Sequence, residues 1–239
     1  MKTIIFAGPT LSGHPVMASR AFSWRPPAAE GDVYRAALKR PDAIALIDGR
    51  FENVPSVWHK EILWALSNGI AVFGAASMGA LRAAELHPFG MIGIGAIYEA
   101  FRDGRYSDDD EVAVVHAPKE MHYRPLSIAM VDIRASLDAA RKAGVVSPVV
   151  AGHVLRVAKQ TFFKERNWDA ILANPALSKM KREIATLRRW LVSHAVAQKR
   201  ADALLLLDTL RGFRAMPAPP PFEFHSTVFW RALQGRHGG

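Results

Sequence analysis

The sequence predicts an α/β fold, with an N-terminal parallel sheet flanked by helices and then an all-helical C-terminal region. Three observations carry this reading. Short apolar runs alternate with helical stretches through the first half, the pattern of strands joined by helical crossovers. After Tyr123-Arg124-Pro125-Leu126 only helical spacing continues. Half of the 239 residues are hydrophobic, enough for a full core.

Lys2 to Ala7 is the first strand, running into the loop Gly8-Pro9-Thr10-Leu11-Ser12-Gly13. A second loop, Trp24-Arg25-Pro26-Pro27, precedes a helix that starts at Glu30-Gly31-Asp32 and runs to about Lys39. Ala43 to Ile47 is a strand ending in Asp48-Gly49. Pro55 to Asn68 is a helix, with proline in its first turn and Gly69 just past its end. Ile70 to Gly74 is a strand and Met78 to Leu86 a helix. Gly90 to Gly95 reads as a structural turn into the helix Ala96 to Arg102; without a following lysine it lacks the spacing of a phosphate loop. Ser107-Asp108-Asp109-Asp110-Glu111 reads as a solvated loop leading into a helix, with divalent-metal binding as the alternative. Val112 to His116 is a fourth strand.

Ser127 to Ala143, Pro148 to Arg166, Trp168 to Ala173 and Leu177 to Arg211 have helical spacing. Met216 to Pro221 stops the last helix with polyproline character. The expected domains are an α/β core at 1–125, a helical domain at 126–215 and an extended Pro-rich tail at 216–239.

Composition narrows the function. The absence of cysteine removes disulfides, thiolate catalysis and Cys-based zinc sites, and it fits a reducing compartment. No apolar run reaches the roughly 18 residues of a membrane span, and the start MKTIIFAGPTLSG reads as the first strand ending in a Gly-Pro turn, its apolar run too short for a signal peptide. A cytoplasmic location away from membranes is expected. Residues 1–120 carry a net charge of −2 and residues 121–239 a net +11. Such a basic half steers acidic partners inward. Nucleic acid is not the expected one, since no helix-turn-helix, zinc or ribonucleoprotein motif is legible. Amphipathic helices in that half also offer faces for a homodimer.

The run FGAASMGALRAAEL places Ser77 between a strand and a helix. A serine there has its hydroxyl at the sheet's carboxyl edge beside free N–H groups of a helix start, the two needs of a nucleophile with an oxyanion site. The competing reading is a helix N-cap. Gly8, Pro9 and Asp48 would lie at the same edge, where ligands of such sheets bind. His116, at the end of the expected fourth strand, is the first candidate base. Lys60 is the second, by analogy with Ser-Lys hydrolases; its alternative is a solvated lysine paired with Glu61 or Asp48. His59 would add a hydrogen bond and Asp48 would orient the base. Met78 and Gly79 would supply oxyanion N–H groups. The segment resembles the A-A-S-M-G-A motif of Clp-type serine proteases.

A wider resemblance covers roughly residues 30–135. GDVYRAALKRP, ALIDGRFENVPSVWHKEILWAL, VFGAASMGALRAAEL, IYEAFRDG, DDDEVAVVHAP and YRPLSIAMVDIR occur in the order and spacing of TfuA-like proteins. That family is associated with YcaO enzymes, which activate a peptide amide with ATP so that sulfur replaces oxygen. The resemblance implies that this chain hydrolyses a thiocarboxylated, ubiquitin-like (ThiS-like) carrier protein and releases sulfide beside YcaO. Ser77 would attack the carbonyl. Gly74, Ala75, Ala76 and Gly79 would line a groove for the carrier's Gly-Gly tail, and Arg82 would position it, unless Arg82 simply pairs with Glu85. No cofactor and no metal is required. The alternatives are a non-catalytic accessory protein that docks and activates YcaO, and a nucleotide- or phosphate-binding protein using Gly8-Pro9-Thr10 or Gly90 to Gly95.

Overall fold

The computed structural model describes residues 2–50, 54–214 and 220–238. Five strands form one parallel sheet in the order β2-β1-β3-β4-β5: β1 Thr3–Phe6, β2 Ser23–Arg25, β3 Ala43–Leu46, β4 Ala71–Ala75 and β5 Ile92–Ile94. Helices α1 (Asp32–Ala37), α2 (His59–Ser67), α3 (Met78–Leu86) and α4 (Ala96–Arg102) follow β2, β3, β4 and β5. The expected α/β architecture is thus present.

The strand order explains how the sheet is covered. From β1 the chain steps one way to β2, and afterwards it steps the other way through β3, β4 and β5. Right-handed crossovers put these two sets of connections on opposite faces. The β1–β2 connection holds only two short 3-10 turns, Pro9–Leu11 and Pro15–Ala18. Its face is completed from far along the chain. Ala203, Leu206, Leu207 and Leu210 of a late helix pack on Ile5, Ala45, Ile47, Phe73 and Ala75, the odd-numbered positions of the strands. The alanines there leave room for the leucines.

Two compact units result: residues 1–107 with 200–239, and residues 108–199. These boundaries differ from the expected 1–125, 126–215 and 216–239, because the late helix returns to the sheet. The second unit holds α5 (Met130–Lys142), α6 (Pro148–Gln160), α7 (Trp168–Leu172) and α8 (Lys181–His194) around their own apolar core, with Ile133, Val154, Ile171 and Leu187 fully or almost fully buried. Ser147 caps α6 through its hydroxyl and Asn167 caps α7 through its amide oxygen, satisfying N–H groups that would otherwise be orphaned. The single helix expected over 177–211 is broken at Ala195–Ala197, giving α8 and then α9 (Gln198–Gly212).

Further local differences have physical causes. Trp24-Arg25, expected in a loop, is edge strand β2. Gly90 to Gly95, expected as a turn, contains β5; a Cβ at Gly93 would meet the Tyr98 ring at 2.1 Å, so the glycine serves packing within a strand. Val112 to His116 is not a strand of the sheet. Its far end pairs with residues 124–127 instead: Leu126 donates to Val115 O at 2.8 Å, Ala117 donates to Arg124 O at 2.8 Å, and Val115 donates to the Ser127 hydroxyl at 2.9 Å. The tail expected to be extended contains α10 (Val228–His237), which buries Trp230 and Leu233 against Tyr34. The Tyr34 ring meets Trp64 at 4.9 Å and Trp230 at 5.2 Å, both edge-on. Asn53 and Met216 to Pro219 lie outside the described residues. Among the described residues no helix is long and apolar enough to cross a membrane.

Candidate active site

At the carboxyl edge of the sheet, Asp48 follows β3, Gly8 follows β1 and Ser77 follows β4. The β1/β3 pair is where the strand order reverses, the place where open α/β sheets bind ligands. Asp48 is 1% exposed. Its carboxylate accepts the backbone N–H of Gly8 at 2.8 Å and of Thr10 at 3.1 Å, and the Thr10 hydroxyl at 2.6 Å. Asp48 therefore ties the β1 loop, including buried Pro9, to the end of β3. The register pairs Leu46 with Gly74, so counting onward puts Asp48 level with Ala76.

The turn at Ser77 is tight and strained. Ser77 N–H donates to Ala75 O at 2.8 Å, closing a three-residue turn around Ala76, whose φ is +67°. A left-handed φ at alanine is held only where surroundings enforce it, and such strain gathers at functional sites. Here Ala75 and Ala76 are fully buried, and the first turn of α3 is fastened to β3. Ser77 occupies the N-cap position of α3, yet its hydroxyl makes no cap hydrogen bond. It is 4% exposed as a residue, and its oxygen has no hydrogen-bond partner among the described residues.

The glycines beside it do a different job from the one expected. Gly79 N–H donates to Ile47 O at 3.2 Å, so it is not a free oxyanion donor. A Cβ at Gly79 would sit 1.7 Å from Leu46 O, and one at Gly74 would sit 2.1 Å from Gly79 O. Gly74, Ala75, Ala76 and Gly79 let helix and sheet touch; they do not line a groove. The N–H of Ala80 donates to Ser77 O at 2.9 Å. Met78 N–H, at the first helical position, has no intrahelical acceptor and is the donor left beside Ser77.

The candidate bases are distributed differently from expectation. His116 belongs to the helical unit and is not on the sheet; its Nδ1 lies 2.9 Å from Ala117 O and its ring meets Tyr123 edge-on. Lys60, near the start of α2, donates to the His225 carbonyl and stands over the Phe224 ring at 5.3 Å. It does not pair with Glu61, which is buried and accepts the N–H groups of Trp58 at 3.0 Å and Tyr34 at 3.1 Å. Burial pushes the Glu61 carboxyl above its ordinary range against these bonds. His59 Nε2 lies 2.7 Å from Glu85. Arg82 donates to Glu85 at 2.8 Å and to Val57 O at 3.0 Å, the pairing that was its alternative role. Burial raises the Glu85 carboxyl, but hydrogen bonds from His59 and Arg82 outweigh this and hold it below its usual range. Thr10, which the sequence offers only as part of a phosphate loop with Gly8 and Pro9, instead fixes Asp48, a pairing with no signal in the local sequence.

The acidic run is exposed at Ser107, Asp108 and Asp109, as expected of a solvated loop, and turns inward at Asp110 and Glu111, where cations meet it. Arg166, almost fully buried, donates to Asp110, and Arg134 donates to both oxygens of Glu111 at 2.8 Å. Lys159 donates to Asp110, to Asp108 at 2.9 Å and to Glu111 at 3.0 Å. Among the described residues no group of three or more His, Asp or Glu is placed to hold a metal ion.

A doubly wound α/β protein with a strained strand-to-helix serine turn is the class that this fold and site define. A family model described as TfuA-like protein matches residues 48–167, half of the chain, and the chain belongs to that family. Membership supports a role in the YcaO-associated thioamidation system. No curated protein matches the chain.

Proposed function

We propose that this chain is a serine-type hydrolase that frees sulfide from a thiocarboxylated, ThiS-like carrier for YcaO-dependent backbone thioamidation. The observation that carries the reading is Ser77, whose hydroxyl is unengaged on a strained turn at the start of α3. Ser77 Oγ bonds to the thiocarboxylate carbon, and the C–S bond then breaks. The departing sulfur takes the hydroxyl proton and leaves as hydrosulfide. Water next attacks the acyl ester, giving the carrier carboxylate and a proton and restoring serine. Because the sulfur accepts the first proton, that step makes little demand on a separate base. This suits a serine without a bonded histidine or lysine. Met78 N–H, left without an intrahelical acceptor beside Ser77, would donate to the developing oxyanion. Lys60, of the same unit as Ser77, is the candidate to take the proton of the attacking water.

The second reading is a non-catalytic accessory protein that docks on YcaO and activates it. It is favoured by the engagement of Lys60, His59, Arg82 and Asp48 with other groups of the fold. Ser77→Ala separates the two. The first reading expects an unchanged melting temperature and loss of sulfide release from a thiocarboxylated carrier. Wild-type release by the variant would remove Ser77 as nucleophile, and undiminished stimulation of YcaO would select the accessory role.

A further inference from the structure

We propose that a groove in the helical unit receives an acidic protein segment anchored by an aliphatic side chain. The groove lies between α8 and the chain linking it to α7, with a volume of about 550 Å³. Its floor is Leu172, Leu177 and Ile184, and its rim carries Lys181, Arg188 and Arg189. Arg188 pairs with the highly exposed Asp169. Lys181 and Arg189 are exposed and make no hydrogen bond or ion pair among the described residues.

The charge of the unit converges on this groove. Residues 108–171 hold nine Lys and Arg and nine Asp and Glu, an even balance. Residues 172–199 hold six Lys and Arg against a single acid, Glu183. The whole positive excess of the unit thus belongs to the segment that builds the groove. An apolar floor under a cationic rim is complementary to a peptide with aliphatic anchors and flanking carboxylates. It is not complementary to nucleic acid, since no aromatic side chain lines it to stack a base. Trp190, the aromatic of α8, is stacked on His194 of its own helix at 4.9 Å.

The proposal deepens the thioamidation reading by giving a surface for a protein partner, and it rests on that reading only in expecting such a partner. The test uses the full chain and a fluorescein-labelled amphipathic peptide with leucines three and four positions apart and glutamates flanking them. Fluorescence anisotropy should detect binding that weakens with salt. Lys181→Glu with Arg189→Glu should weaken it by about tenfold or more. Ala185→Trp, which fills the groove from an exposed position, should abolish it. Circular dichroism shows whether each variant remains folded. Ser77→Ala should bind as the wild type does, so failure of the catalytic reading leaves this result intact. No binding by the wild type, or unchanged binding by both variants, would overturn the proposal. So would equal binding of a leucine-to-glutamine peptide, or equal competition by single-stranded DNA, which would make the face a general polyanion surface.

Discussion

Thr10 donates its hydroxyl to the carboxylate of Asp48 at 2.6 Å, joining the loop after β1 to the end of β3 inside a buried edge of the sheet. Thr10→Val keeps the shape but leaves a buried carboxylate oxygen short of a donor. The expected loss is about 1–3 kcal/mol of stability, with Thr10→Ser closer to wild type. Urea unfolding of the three proteins measures it.

Gly79 and Gly152 give opposite expectations for the same substitution. At Gly79 a Cβ meets Leu46 O at 1.7 Å, and backbone cannot swing away as a side chain can. Gly79→Ala should cost about 3 kcal/mol, the upper end for overpacking, and should disturb the Ser77 turn with it. At Gly152, inside α6, nothing lies within 4 Å of a new Cβ, and Gly152→Ala should stabilise by about 0.5–1 kcal/mol. Thermal unfolding of both variants decides.

The ion-pair cluster of the helical unit makes its stability depend on pH at both ends. Burial works against the charge of Asp110, but hydrogen bonds from Lys159 and Arg166 outweigh it and hold the carboxyl below its ordinary range. A depressed carboxyl stabilises above its unfolded value, about 3.9, and the contribution is lost as pH falls through the lower folded value. Lys159 is disfavoured by burial yet pushed up to about 12 by hydrogen bonds to Asp110, Asp108 and Glu111. Its contribution is complete below about 10.4 and is lost as pH rises through 12. Glu61 acts in the opposite sense, since a raised carboxyl costs stability as pH rises through its folded value. Denaturant titrations of wild type and Asp110→Asn across pH should converge in acid and separate near neutrality.

Trp230 binds α10 to the sheet unit through Tyr34, Trp64 and Phe224. Trp230→Ala should cost about 3–5 kcal/mol, as loss of a large buried ring does. A proteolysis time course should then cut α10 first. Resistance equal to wild type would show that the helix is held by other contacts.

The sequence was most legible where local chemistry is self-sufficient. The helix Met78–Leu86 lies where its spacing predicts, and Pro148 opens α6 behind its Ser147 cap. Legibility failed where burial overrides local pattern. Gly93 reads as loop because its reason is the Tyr98 ring laid across it. Val112 to Ala117 has the apolar composition of a strand, but Val115 and Ala117 bond to residues 124–127 and Val112 to Asp109 and Lys199. The charged run at 108–111 reads as uniformly solvated, but Arg134, Lys159 and Arg166, from later in the chain, draw Asp110 and Glu111 into ion pairs.

By itself, the sequence determined the parallel α/β core, the helical unit with its basic surface, and a serine between strand and helix. These follow from periodicity, charge and small residues, all read from neighbours along the chain. Only the tertiary structure decided that α9 covers the open face of the sheet, that Asp48 is bound by Thr10, and that Gly74 and Gly79 pack helix on sheet. Those outcomes depend on residues distant along the chain, whose burial and hydrogen bonds are set by the order of the strands.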